Sequence, residues 1–319
     1  MRPTPSHPSR GVWISAPTPV PARPDRLVDA TRSAAALAEL RGWLPALPRD
    51  AVGTGLTAAL AHGLWLPWTP SGLPVMVALA RHPYETTPVR EGLHVIRHPV
   101  APASCLVSGA RVVTVPEALV CCCRYLGLLD AVILIDSALH LELCSRAELD
   151  RIQRRKRRGV VRFREALALA DGRSESPWES MLRMLHVVCG VRVTPQVDIT
   201  DEHGRFVARI DLMVESTGQF QEYDGAQHRE ADVQVRDLAR ERRLADAGFH
   251  RRGYVAQDLL NDPEGILAPI EAAARRRISA QPWRDLLAGS LYRPAGRAAI
   301  ERRLGIGPLD WALPSDRSR

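Results

Sequence analysis

Residues 205–215 read RFVARIDLMVE, in which Phe206, Ala208, Ile210, Leu212 and Val214 alternate with Arg209, Asp211 and Met213. Side chains alternate across a strand with period two, so Asp211 shares its face with Arg209 and Met213. An acid in the middle of such an apolar strand is costly unless it is exposed, paired or bound to a cation. A second polar stretch, QEYDGAQHRE at 221–230, follows after an STG turn, and on its strand Glu222 and Asp224 share a face with Phe220. With the turn centred near Thr217, residue 211 lies opposite about residue 223. A shift of one residue brings Asp211 beside Glu222 or Asp224. Carboxylates that close repel, and an oxygen-liganded Mg²⁺ or Mn²⁺ relieves the repulsion. Such an ion can polarise a phosphodiester and stabilise its leaving oxygen.

Each of these residues also has a plainer reading. Asp224-Gly225 is a common turn pair, Glu222 fits a solvent-facing edge, and Asp211 could pair with Arg209 or Arg251. Glu179 is a fourth acid, yet Ser176-Pro177-Trp178-Glu179 has the spacing of a capping box, so cap and ligand are both open. Gln196, in the middle of a strand, needs hydrogen-bond partners if buried, either structural ones or the site itself. His228 follows Gly225 by three residues and could be a solvated loop histidine or a proton carrier beside the acids. Asp237 and Arg240 lie one helical turn apart, as an intrahelical pair or facing the site.

The elements that must hold these residues read α-β-β-β-α-β. A helix over 176–190 has Ser176 as N-cap, Pro177 at its first position and Gly190 as its stop. Strands follow over 191–199, 205–215 and 219–225, then a charged helix over 230–247, a short strand over 249–255 and a helical segment over 262–290. Upstream, helices are expected over 26–46 and 51–65, a small sheet or hairpins within 74–114, one or two apolar helices over 116–140, and helical pattern over 146–170. The domain organisation that follows is a disordered proline-rich stretch (1–25, with seven prolines), an α+β N-terminal domain (26–170), a second domain (175–290) and a Pro/Arg-rich tail (291–319).

The whole chain sets wider bounds. Its 319 residues are long enough for two domains, and 45 % hydrophobic with 25 % charged residues is normal for a globular protein. The formal charge of +7 permits polyanion binding without demanding it. The distribution says more: RIQRRKRR at 151–158 sets Arg151, Arg154, Arg155, Lys156, Arg157 and Arg158 in eight positions, either as a solvated face or as a grip on nucleic-acid phosphates. Arg242 and Arg243 could join that grip. Of six cysteines three are consecutive in an apolar run, and no CxxC pair exists, which argues against a zinc site and fits a reducing compartment. No secretory leader and no run long enough to span a membrane is expected, so the cytoplasm is the expected location.

The segments SPWES, TPQVDI, ARIDLMVE, EYDGAQHR, VRDLARERRLADAGF and HRRGYV, in that order over about residues 175–258, resemble the PD-(D/E)xK nuclease superfamily. More narrowly, they resemble the small endonuclease domains related to very-short-patch repair endonucleases. The resemblance implies an α/β chain whose C-terminal half has a restriction-endonuclease-like αβββαβ core, a mixed central sheet flanked by helices. It implies Asp211 and Glu222 as the central metal ligands and Glu179 as an accessory acid. Asp224 stands where the superfamily usually has a lysine, either as a further metal ligand or as the start of the turn, and His228 or a second metal would make good the missing cation. The segments AVGTGLTAALAHGLWLP, GLHVIRHPV, ARVVTVPEALV and AVILIDSAL resemble the region that precedes this domain in many proteins from high-GC bacteria, which commonly begin with a winged-helix module like that of abortive-infection antitoxins. Two functions follow as expectations: a Mg²⁺- or Mn²⁺-dependent DNA endonuclease, dimeric if both strands are cut, or an inactive nuclease fold that binds DNA or regulates.

Overall fold

The computed structural model describes residues 13–15, 30–67, 69–70, 72–80, 90–200, 203–224, 244 and 251–311. The chain divides into two compact units, Ala22–Gly172 with Leu286–Arg319, and Met1–Pro21 with Arg173–Asp285. Among the described residues the chain is mixed α/β, with eleven α-helices and two five-stranded mixed sheets. The first strand, β1 (Trp13–Ser15), belongs to the second unit.

The unit that begins at Ala22 opens with α1 (Ala30–Trp43), which buries Ala36, Leu37 and Leu40. Ala34, in its first turns, is exposed. The helix expected over 51–65 is shorter: residues 52–53 are strand β2 (Val52–Gly53), and only α2 (Gly55–Ala61) is helical. The strand wins because it is central. It pairs antiparallel with β3 (Val75–Ala80) and parallel with β6 (Ala110–Val113), so both of its edges are hydrogen-bonded. The sheet is completed by β4 (Leu93–His98), parallel to β3, and β5 (Ser104–Val107), antiparallel to β6, in the order β4-β3-β2-β6-β5. Met76, Val77, Ala78 and Leu79 of β3 are fully buried, each worth roughly 1–3 kcal/mol of hydrophobic transfer.

The apolar run after β6 forms two helices, α3 (Val115–Cys122) and α4 (Leu128–His140). The three consecutive cysteines are buried and free. The pattern expected as one helical stretch over 146–170 is two helices, α5 (Arg146–Ile152), capped by Ser145 and Glu148, and α6 (Val160–Leu169). The basic run separates them because Gly159 is left-handed at φ +89°.

In the other unit, α7 (Pro177–Val188) starts at Ser176, whose hydroxyl accepts from the Glu179 N–H. Then follow β7 (Val193–Thr200), β8 (Phe206–Val214) and β9 (Gln219–Tyr223), an antiparallel meander. β10 (Arg251–Tyr254) runs parallel to β9, so the chain between them must cross over. The sheet order is β1-β7-β8-β9-β10. Within the stretch expected to be disordered, β1 instead pairs antiparallel with β7 at the sheet edge, where flanking prolines are tolerated. After β10 comes α8 (Ala256–Asn261), and the helical segment expected over 262–290 is broken into α9 (Pro263–Ala274) and α10 (Gln281–Ala288). The tail also folds: α11 (Pro294–Leu304) buries Ile300 and Leu304 and belongs to the first unit. No helix among the described residues is long and apolar enough to cross a membrane.

Asp130 ties this C-terminal return to α4. It is fully buried and accepts from the Leu291 N–H at 3.1 Å and the Gly127 N–H at 3.3 Å. Burial outweighs those donors and pushes its carboxyl up to about 7. In the unfolded chain an aspartate titrates near ~4, so between these values the folded state holds a proton that the unfolded state has lost. Raising the pH through that window therefore removes stability. Asp130→Asn stays neutral, so its unfolding free energy minus that of the wild type should rise between pH ~4 and ~7 and then level off. Urea denaturation at a series of pH values reads this difference; one that stays flat or falls means the carboxylate is accommodated in its charged form.

Candidate active site

The ladder puts the expected acids in one row. On β7 and β8 the pairs Pro195↔Leu212 and Val197↔Ile210 set Gln196 level with Asp211. On β8 and β9 the pairs Leu212↔Gln221 and Met213↔Phe220 set Asp211 level with Glu222. On β9 and β10 Glu222 pairs with Gly253. The register is thus one residue from the expected partner of 211 near 223, within the shift allowed for. Cross-strand neighbours of this kind have Cβ atoms roughly 5 Å apart. Asp211 Oδ2 accepts from the Tyr223 N–H at 3.0 Å, which fixes the carboxylate against the β9 backbone.

Glu222 is buried, only 4 % exposed, so the solvent-facing edge reading does not hold. Its charge is met by Arg251, whose Nη1 lies 3.2 Å from Glu222 Oε2 and 2.9 Å from Asp224 Oδ1. The Asp224 N–H donates to the Tyr254 carbonyl at 2.8 Å. Gly253 makes room for this arrangement: a Cβ there would fall 1.7 Å from Asp224 Oδ2. Arg251 is the residue that sequence reasoning undervalued. It was quoted only as a partner for Asp211, whereas the parallel pairing of β10 delivers it to the other two acids.

Glu179 bonds both at the start of α7 and across to β7. Ser176 Oγ accepts from the Glu179 N–H at 3.2 Å, but the Glu179 carboxylate takes the Glu175 N–H and the Gln196 side-chain amide, each at 2.8 Å. Gln196 is buried and stands at φ +53°, a conformation uncommon outside glycine, so its side chain is turned toward α7 rather than continuing the pleat. Arg209 forms a two-point pair with Asp198 at 2.6 and 2.9 Å. Trp178 of α7 and Tyr223 of β9 stack, with ring centroids 5.4 Å apart and an interplanar angle of 8°. Neither pairing was anticipated, though Asp198–Arg209 is legible once the register is known.

Among the described residues no group of three His, Cys, Asp or Glu side chains is arranged to hold a metal ion. Gly225, His228, Asp237, Arg240, Arg242 and Arg243 lie outside the described residues. Leu244 is helical, 2 % exposed, and packs with Ile210 and Phe220.

The basic run belongs to the other unit. Its members divide by partner. Arg155 and Arg157 both bond the buried Glu117 carboxylate, Arg155 at 3.0 Å. Arg151 turns back to the Ala147 carbonyl. Arg154, Lys156 and Arg158 are exposed.

No family model matches the chain, and no solved structure matches it significantly. It is 30 % identical over 139 residues to an uncharacterized protein of Mycobacterium tuberculosis strain CDC 1551 / Oshkosh. The same figures hold for an uncharacterized protein of strain ATCC 25618 / H37Rv. Each match covers 43 % of this chain and 51 % of the relative, so the chain spans about half the length of the curated relatives it matches.

Arg251 carries the nearest prediction. Its side chain is 19 % exposed and that of Glu222 6 %, so removing the cation takes a full positive charge away from a buried carboxylate beside Asp224. Arg251→Met should cost about 3 kcal/mol in urea denaturation, and adding Glu222→Gln should recover most of it. No recovery in the double variant would mean that the loss comes from packing rather than charge.

Proposed function

We propose that the C-terminal unit is a divalent-metal-dependent DNA endonuclease domain of the PD-(D/E)xK type, in the very-short-patch-repair-like branch. The observation that carries this reading is the row Gln196–Asp211–Glu222, with Glu179 of α7 hydrogen-bonded to its first member. The helix, the three-stranded meander and the parallel fourth strand agree with a restriction-endonuclease-like core.

The donor set fits Mg²⁺ or Mn²⁺ chemically. Asp211 and Glu222 are hard oxygen donors on neighbouring strands, and Mg²⁺ commonly takes one or two carboxylates together with substrate phosphate oxygens and water. When bound, the ion supplies Lewis acidity at the scissile phosphate. The chain's own residues do the rest. The Tyr223 N–H orients Asp211, and Glu179 with Gln196 fixes the β7 end of the row. Arg251 holds Glu222 and Asp224 together and is the cation nearest the position where the superfamily has its lysine. Hydrolysis adds water across a P–O bond, leaving a phosphate ester and an alcohol, and the attacking water must lose a proton. His228 is the residue proposed to take it. The exposed Arg154, Lys156 and Arg158 are the members of the basic run open to DNA phosphates. Cutting both strands calls for two copies of the chain.

The second reading, an inactive nuclease fold that binds DNA or regulates, draws on Arg251 as well. A guanidinium already bonded to Glu222 and Asp224 meets their charge from within the protein.

The two separate on plasmid, single-stranded and mismatched DNA incubated with and without Mg²⁺ or Mn²⁺. The wild type should cleave only with metal, and Asp211→Asn should lower the rate more than about 100-fold. The metal should also raise the melting temperature of the wild type more than that of the variant. Metal-independent binding without cleavage, unchanged in Asp211→Asn, sinks the enzyme reading.

A further inference from the structure

The start of α6 holds an open cavity of about 430 Å³, lined by Arg124, Arg158, Arg162, Gly159, Cys123 and Glu165 among others. Three guanidinium groups there face one carboxylate. Arg162 Nε lies 3.2 Å from Glu165 Oε2. Arg124 lies over the Tyr125 ring at 5.3 Å, and Arg158 makes no hydrogen bond or ion pair among the described residues. The lining is thus left with an excess of two positive charges. Cys123 cannot offset them, since burial pushes its thiol up to about 12 and keeps it neutral.

The backbone adds to the same field. Gly159 precedes α6 in a left-handed conformation, and a Cβ there would lie 2.3 Å from the Val120 carbonyl oxygen, so no larger residue fits. No side chain caps the helix. The first N–H groups of a helix have no intrahelical acceptor, and here Val161 and Arg162, which carry two of them, line the cavity.

We propose that this cavity is a phosphate site, and that the phosphate it takes is one from the backbone of a nucleic acid. Arg124, Arg158 and Arg162 supply forked donors suited to phosphate oxygens, and the N-terminus of α6 supplies two backbone donors. The site reads no base, so it sets position and affinity rather than sequence. It rests on the DNA-binding part of the proposed function, in which Arg158 is open to phosphates, and needs neither the acid row nor a metal.

The test uses the full chain in EDTA, a short labelled duplex, and a salt titration. Arg158→Gln/Arg162→Gln should weaken binding about tenfold, the scale of one charge-assisted hydrogen bond. It should also lower the slope of log K against log salt by about 1, the loss of one phosphate, with an unchanged melting temperature. Arg158→Lys/Arg162→Lys keeps the charge and should keep the slope. Arg111→Gln, an exposed arginine of β6 outside the cavity, should leave the affinity within about twofold, because it removes charge but no phosphate contact. Three results overturn the proposal: a Gln double variant that binds as the wild type does, an Arg111→Gln variant that weakens binding equally, or a cavity that takes inorganic phosphate while the double variant leaves duplex binding intact. All of this is read without cleavage. A wild type that cuts nothing leaves the pocket standing, and a failed pocket leaves Asp211 and Glu222 untouched.

Discussion

Val214 and Gln219 close a four-residue loop, and the ladder that they begin runs back through Met213↔Phe220 and Leu212↔Gln221 to the level of Asp211 and Glu222. That register is the constraint on which the C-terminal unit depends. A slip of one residue would turn one strand over against the other and send Glu222 to the opposite face from Asp211. The slip is resisted by apolar residues on both sides. Ala208, Ile210, Leu212 and Val214 are buried along β8, and Phe220 is buried on β9. The hydrophobic pattern thus selects where the carboxylates stand, and the acids themselves contribute little to that choice.

Having been placed, the charges must be compensated locally. Asp198 takes Arg209, Glu222 and Asp224 share Arg251, and in the other unit the buried Glu117 takes Arg155 and Arg157. A carboxylate as buried as Glu117 or Glu222 needs such a partner to stay charged, since leaving it charged and unpaired costs several kcal/mol, whereas Asp130, held by backbone donors, is pushed toward its neutral form. Compensation from within also restrains a catalytic centre, because a cation from outside competes with a guanidinium already in place. Asp211 has a backbone donor as well, the Tyr223 N–H at 3.0 Å.

Much of this architecture was legible. The strands expected over 191–199, 205–215 and 219–225 lie within two residues of β7, β8 and β9, because a half-buried antiparallel strand writes its alternation into the sequence. The helix at α7 was equally plain from Ser176, Pro177 and Gly190. β2 was hidden, since two residues carry no period and their strand character comes from neighbours on both sides. β1 was hidden among prolines. α11 was taken for tail because its arginines and small residues dilute the apolar signal that Ile300 and Leu304 carry. The role of Arg251 required the order and direction of β9 and β10, which follow from a crossover and not from spacing. The conformation of Gln196 had no sequence signal at all.

A cluster of carboxylates and a grip on phosphates make opposite demands on arginine. A centre built of carboxylates consumes the arginines within its reach, as Glu222 and Asp224 consume Arg251. A phosphate grip needs guanidinium groups that no carboxylate has claimed. Within the basic run the difference is one of a few residues: Arg155 and Arg157 point at Glu117 and are spent, whereas Arg158, adjoining them, turns to a cavity where Glu165 is the one acid. A count of basic residues over 151–158 therefore overstates the grip. What decides binding is how many of them end beside a carboxylate, and that is set by where α3 carries Glu117.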